Sequence, residues 1–164
     1  MKNLLIPALF VASGFLSLST LSAEPGVAET VSGNVQMIKP GETKPIRLRS
    51  GGVVPTGATI VTKGGGKAVI PLTSGSAIQI SEKTEVEITR VKEHATNPAV
   101  KLQLRSGSVG ALIREGGKEM DFKIETPHGI AAAHGTFYAV TVDKDKTTAA
   151  VREGKIKVNQ ATKK

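Results

Sequence analysis

"TPHGIAAAHGTFYAV", residues 126–140, holds two of the chain's three histidines and its only tyrosine. Two readings compete for it: a reactive or metal-binding loop, or the most constrained part of a sheet. Pro127 and Gly129 bracket a turn at His128. Ile130, Ala131, Ala132 and Ala133 are small or apolar, which predicts a strand covered on both faces. Gly135 permits a bulge or a close backbone crossing. Thr136, Phe137, Tyr138 and Val140 resume a β-favouring run. Phe137 is expected in the core, where truncation to Ala costs about 3–5 kcal/mol.

The reactive reading lacks partners. His128 and His134 share a parity, so a straight strand puts them on one side. Zinc normally takes three or four protein ligands. The chain has no cysteine, and His94 lies in a polar loop. No metal or cofactor is expected. His128 then reads as a turn residue and His134 as a partly buried, hydrogen-bonded one.

Working outward, apolar and polar residues alternate almost everywhere after residue 26. Ala68, Ile70 and Leu72 form one apolar set. Val100, Leu102 and Leu104 form another, followed by Phe122 with Ile124 and Ile156 with Val158. A period of two means strands with one buried face. Turn signals separate them: Pro40-Gly41, Ser50-Gly51-Gly52, Gly64-Gly65-Gly66, Ser74-Gly75-Ser76, Ser106-Gly107-Ser108, Gly116-Gly117 and Glu153-Gly154-Lys155. A small unit, apolar–polar–polar–Gly–polar–apolar in outline, recurs at 31–35, 72–78, 104–109 and 151–156. Its spacing is unequal, so it is a repeated hairpin solution and not a solenoid repeat. The expected fold is all-β, about a dozen short strands in a compact sandwich, jelly roll or β-helix-like arrangement.

Catalytic patterns are missing. There is no Gly-x-Ser-x-Gly elbow. Glu85 and Glu87 share one face of a strand whose other face carries Val86 and Ile88, so they read as a solvated face. Gly64-Gly65-Gly66-Lys67 is followed by Ala68 where a phosphate loop needs Ser or Thr. No nucleophile, base and orienting group can be assembled, and no enzyme is expected.

Lys and Arg total 22 against 14 Asp and Glu, a net charge of +8. Residues 4–18 are mostly apolar, Lys2 precedes them, and Leu21-Ser22-Ala23 ends in a small residue. Residues 1–23 therefore read as a secretory signal peptide. Without Lys2 the balance is 21 − 14 = +7. The expected organisation is a leader (1–23), one β-domain (24–159) and a flexible basic tail (160–164). The expected location is the periplasm or outside the cell, with no membrane span after cleavage. Without cysteine, a lipid-modified form is excluded and the core is held by packing alone. Basic charge there points to anionic envelope polymers or acidic partners before nucleic acid. Aromatic content of 3% leaves few rings for bases to stack on. No nucleic-acid partner is expected. The basic side chains read as scattered, with Arg47 and Arg49, near Lys39 and Lys44, the densest early group.

The ordered motifs resemble the FecR-type domain, the periplasmic module of the iron-dicitrate sensor family. Val31, Gly33 and Val35 fit its opening unit, and Gly57, Ile60 and Thr62 its next step. Ala68, Ile70, Leu72, Gly75, Ser76, Ile78 and Ile80 fit two strands. Leu102, Leu104, Gly107 and Val109 fit a central hairpin. Thr126, Pro127, Gly129, Ala131, Gly135, Thr136, Phe137 and Val140 fit the hallmark, with one position shifted after Phe137. Val151, Gly154, Ile156 and Val158 fit the close. The usual Val-Arg before Gly-Thr is Ala133-His134 here, replacing a permanent charge with a pH-dependent one.

The resemblance implies a stand-alone exported domain that binds or senses an envelope protein or a surface polymer. His134, His128, Arg47 and Arg49 are the expected contacts. Only Met1 to Asn3 precede the apolar run of the leader, so contact with a cytoplasmic sigma factor is not expected. The alternative is a structural or adhesive envelope protein holding anionic polysaccharide on basic strand faces.

Overall fold

The structure is a computed structural model describing residues 26–93, 96–114, 120–133, 137–152 and 156–160. The expected leader, His94, His134, Gly135, Thr136, the turns at 116–117 and 153–155, and residues 161–164 lie outside them. In chain order the strands are β1 (Gly26–Val27), β2 (Thr30–Ser32), β3 (Val35–Ile38), β4 (Ile46–Arg47), β5 (Val53–Val54), β6 (Thr59–Thr62) and β7 (Lys67–Thr73). They continue as β8 (Ser76–Ile80), β9 (Glu85–Lys92), β10 (Ala99–Ile113), β11 (Asp121–Thr126), β12 (Gly129–Ala133), β13 (Phe137–Val142), β14 (Thr147–Val151) and β15 (Ile156–Gln160). The fold is all-β.

Two sheets share one strand. An eight-strand sheet runs β15-β12-β11-β10-β9-β6-β3-β4, and a six-strand sheet runs β14-β13-β10-β8-β7-β2. β10 belongs to both. Its first half pairs β9 antiparallel and β11 parallel. Its second half pairs β8 and β13, both antiparallel. β1 and β5 form a separate pair.

The alternation expected from sequence is realised where strands are central. Ala68, Ile70, Leu72, Val100, Leu102, Leu104, Phe122 and Ile124 all enter one buried cluster spanning both sheets. At the edges it is not. Val158 pairs with buried Ala131, so it lies on the inward side, yet it is 51% exposed. The reason is position: β15 ends the eight-strand sheet. Val151, opposite Tyr138 on the other sheet's edge, is exposed in the same way.

Ser106-Gly107-Ser108 is not a turn. β10 continues unbroken through it for 15 residues. Leu104 pairs with Val86 in one sheet, while Gly107 pairs with Val142 in the other. The chain bends between sheets here and does not reverse. Gly107 adopts φ +85°, and a Cβ would run into the Thr84 side chain and backbone. Thr84 packs that tightly because it staples the corner. Its Oγ1 accepts the Ser108 N–H at 2.9 Å, and its own N–H donates to Thr62 Oγ1 at 2.9 Å. The Thr62 hydroxyl donates to Ser81 O at 2.6 Å. Both threonines are buried, and hydroxyls so placed must be paired or they cost free energy.

The recurring glycine unit takes its meaning from this corner. Among the described copies, the one at 72–78 is a hairpin, joining β7 to β8. Those at 31–35 and 104–109 lie where the chain passes between sheets, from β2 to β3 and within β10. Bends and bulges are how strands turn the corners of a sandwich.

Gly107→Ala should therefore lose about 1–3 kcal/mol from backbone conformation, with the Thr84 clash in addition. Gly64, where an added Cβ would meet nothing within 4 Å, is the control. Gly64→Ala should leave the denaturation midpoint nearly unchanged, and equal midpoints for the two variants would contradict this role of Gly107.

Candidate functional site

The stretch 126–140 begins as the last residue of β11 and a tight turn. Thr126 is the hub of that turn. Its Oγ1 accepts the His128 backbone N–H at 3.2 Å and the Thr147 hydroxyl at 3.0 Å, and donates to Gly129 O at 2.9 Å. The Thr147 Oγ1 also lies 3.0 Å from His128 Nδ1. Both threonine protons are committed elsewhere, so the imidazole is the donor and carries its hydrogen on Nδ1. The chain His128–Thr147–Thr126–Gly129 joins the β11–β12 turn of one sheet to β14 of the other. His128 is half-buried and serves as a clasp.

The strands that follow divide by parity. Ala131 is buried, while Ile130 and Ala132 on the outer side are half-buried, so β12 is fully covered on one face only. In β13, Tyr138, Val140 and Val142 point inward. Phe137, expected in the core, is instead half-buried on the outer face, opposite Leu112. The correction follows from the two-residue period: if Val140 is in the core, so is Tyr138, and Phe137 cannot be. Tyr138 also removes the shifted position. Gly135-Thr136-x-aromatic-x-Val holds without insertion once Tyr138 is the aromatic member.

Tyr138 is fully buried and stands edge-on to Phe122 of the opposite sheet, with centroids 6.2 Å apart and rings at 88°. Among the described residues its hydroxyl has no hydrogen-bond partner. Burial pushes its pKa well above the ordinary tyrosine value, so the phenol stays neutral. A phenylalanine shape is what this position uses. The signal lies in the sequence: Tyr138, two residues before Val140, shares its face.

Of the four expected contacts, the three that are described do not converge. Arg47 is on β4, at the far edge of the eight-strand sheet from β12, and its Nη2 donates to Gly33 O at 3.3 Å. Arg49 is exposed just beyond it. His128 lies at the other end of that sheet, and His134 is outside the described residues. Glu85 and Glu87 are bridged by Arg105 at 2.9 and 3.0 Å, a solvated ion-pair lattice. Among the described residues no group of three or more His, Asp or Glu side chains is placed to hold a metal. No helix among them is long and apolar enough to cross a membrane.

These features define a two-sheet β-domain whose marked residues hold the scaffold together. Residues 58–157 match the family described as FecR protein, and the chain belongs to that family. No curated protein matches the sequence. Among solved structures, the chain is similar to a "putative anti-sigma factor from Parabacteroides distasonis", at 16% identity and a TM-score of 0.33. The match covers 79% of this chain and 47% of that one, so the chain spans about half of that structure's length.

The unpaired phenol gives Tyr138→Phe a definite direction. The variant should be neutral or more stable by about 1 kcal/mol, because it removes a buried donor that lacks a partner. The raised phenol pKa has a sign. Stability is unaffected below the unfolded value of about 10 and falls as pH rises above it, because only the unfolded chain ionises. Tyrosinate absorbance, reporting the single tyrosine, should appear together with alkaline unfolding. Ionisation before unfolding would contradict the buried placement.

Thr126→Val should cost more than Thr147→Val, by roughly 1 kcal/mol, since Thr126 makes three hydrogen bonds and Thr147 two. Thermal melting of the two variants measures the order, and the reverse order would remove Thr126 as hub.

Proposed function

We propose that the chain is a non-catalytic FecR-type binding and sensing domain acting outside the cytoplasm in envelope signalling or regulation. Membership of the FecR family over residues 58–157 carries this reading and supports a regulatory role. The use of Thr126, His128 and Tyr138 in holding two sheets together supports a binding scaffold over an enzyme. No cofactor is required by any residue set described above. The leader-like residues 1–23 support a periplasmic or secreted location, with the domain beginning near residue 24. The partner is an envelope protein or an anionic surface polymer, not nucleic acid and not a cytoplasmic sigma factor.

Fractionation of cells carrying a tagged copy tests the location. Affinity capture from solubilised envelope at low and high salt tests the partner, because screening weakens charge-driven binding far more than a shaped protein interface. A membrane or envelope protein retained at high salt is the expected result. Cytoplasmic recovery, or capture of a sigma factor, would overturn the reading.

A further inference from the structure

The register of the eight-strand sheet gathers cations that look scattered in the sequence. On its outer face Arg90 of β9 lies directly opposite Lys101 of β10, and Lys101 opposite Lys123 of β11. Lys123 pairs with Ala132 of β12, and Ala132 with Lys157 of β15. Four cations thus stand in one line across five adjacent strands, spanning about 19 Å at the usual ~4.8 Å strand spacing. Like charges directly opposite each other destabilise a sheet, and carboxylates offset this only at Lys101 and Lys123.

A bulge builds it. The β9–β10 register shifts between Lys101 and Leu102, leaving Thr89 as the extra residue of β9. Thr89 Oγ1 donates to Lys101 O at 2.8 Å and closes the irregularity. Without the bulge, Arg90 would sit opposite Val100, on the buried side. The bulge turns it out beside Lys101, the re-aiming that such irregularities provide.

We propose that this row binds a linear acidic polysaccharide laid across the strands. The shape of the charge selects the ligand. Carboxylates flank the row: Glu125 on one side, paired with Lys101 at 2.8 Å, and Asp121 on the other, paired with Lys123 at 2.7 Å. These are half-exposed ion pairs worth about 1 kcal/mol, so they yield to a better-placed anion. Arg90 and Lys157 make no ion pair among the described residues. A broad anionic surface such as a bilayer would press on the flanking carboxylates along with the row, whereas a narrow chain has only to displace the two carboxylates paired with Lys101 and Lys123. The described aromatic side chains are elsewhere: Phe122 and Tyr138 are buried and Phe137 is on the other sheet. The row therefore offers bases no ring to stack on. Only the supply of such a polymer rests on the extracytoplasmic reading; binding itself can be measured on purified protein.

The test uses the purified protein and fluorescein-labelled dextran sulfate, with anisotropy read at low ionic strength. Arg90→Gln/Lys157→Gln should weaken binding about tenfold, the loss of two exposed charge contacts. Lys39→Gln/Lys44→Gln removes the same charge from the exposed loop between β3 and β4 and should change affinity less than about twofold. Unchanged melting temperatures in both variants establish that each is folded. Phosphatidylglycerol vesicles should not bind through Arg90 and Lys157. Equal loss in the two double variants would reduce the attraction to net charge and overturn the proposal. So would absence of dextran sulfate binding, or vesicle binding with the same dependence on the row. None of these results bears on location, which fractionation decides separately.

Discussion

Everything in this fold depends on one strand being allowed to serve two sheets. β10 supplies partners to β9 and β11 along one half and to β8 and β13 along the other. A strand can do this only if its backbone bends without losing hydrogen bonds. Gly107 supplies the bend, and Thr84 and Thr62 supply the missing partners at the corner. The inward residues of both halves then meet in one apolar cluster. Phe122 and Tyr138, from opposite sheets, touch edge to face within it. No disulfide assists, since the chain has no cysteine. Apolar burial and a few buried hydroxyls hold the domain.

The same constraint explains what the glycine pattern could and could not reveal. Alternating residues announced strands correctly at 67–73, 99–105 and 121–126, because a half-buried strand writes its period directly into sequence. A glycine between two such runs is ambiguous. It serves a hairpin, as at Gly75, or a change of sheet, as at Gly33 and Gly107. Gly33 and Gly107 adopt positive φ and Gly75 does not, a difference that composition alone does not register. Pairing distinguishes them, and pairing is a long-range property. Val158 illustrates the same limit: its period is that of a buried residue, and only its place at a sheet edge leaves it exposed.

The candidate site was legible to a similar degree. The stretch 126–140 stands out because small residues, a turn and a lone tyrosine are concentrated there. Its structural reading followed from local rules. Which aromatic faces inward required only parity, and Val140 supplied it. The link from His128 to Thr147 could not be read, since 19 residues and a change of sheet separate them. The cation row was hidden for the same reason, with a further twist. The Thr89 bulge reverses which side Arg90 faces, so simple alternation would have misplaced it.

The shared strand also governs how the chain acquires its structure. β2 waits for β7, and β10 for β13, before the six-strand sheet can assemble. β11 lies parallel to β10 and reaches it only after an intervening crossover. Such non-local pairings close slowly, because loop entropy is lost before contacts compensate it. With β10 central to both sheets, separating them strips partners from the same strand. The domain should form late, after its thirteenth strand is available, and in one step.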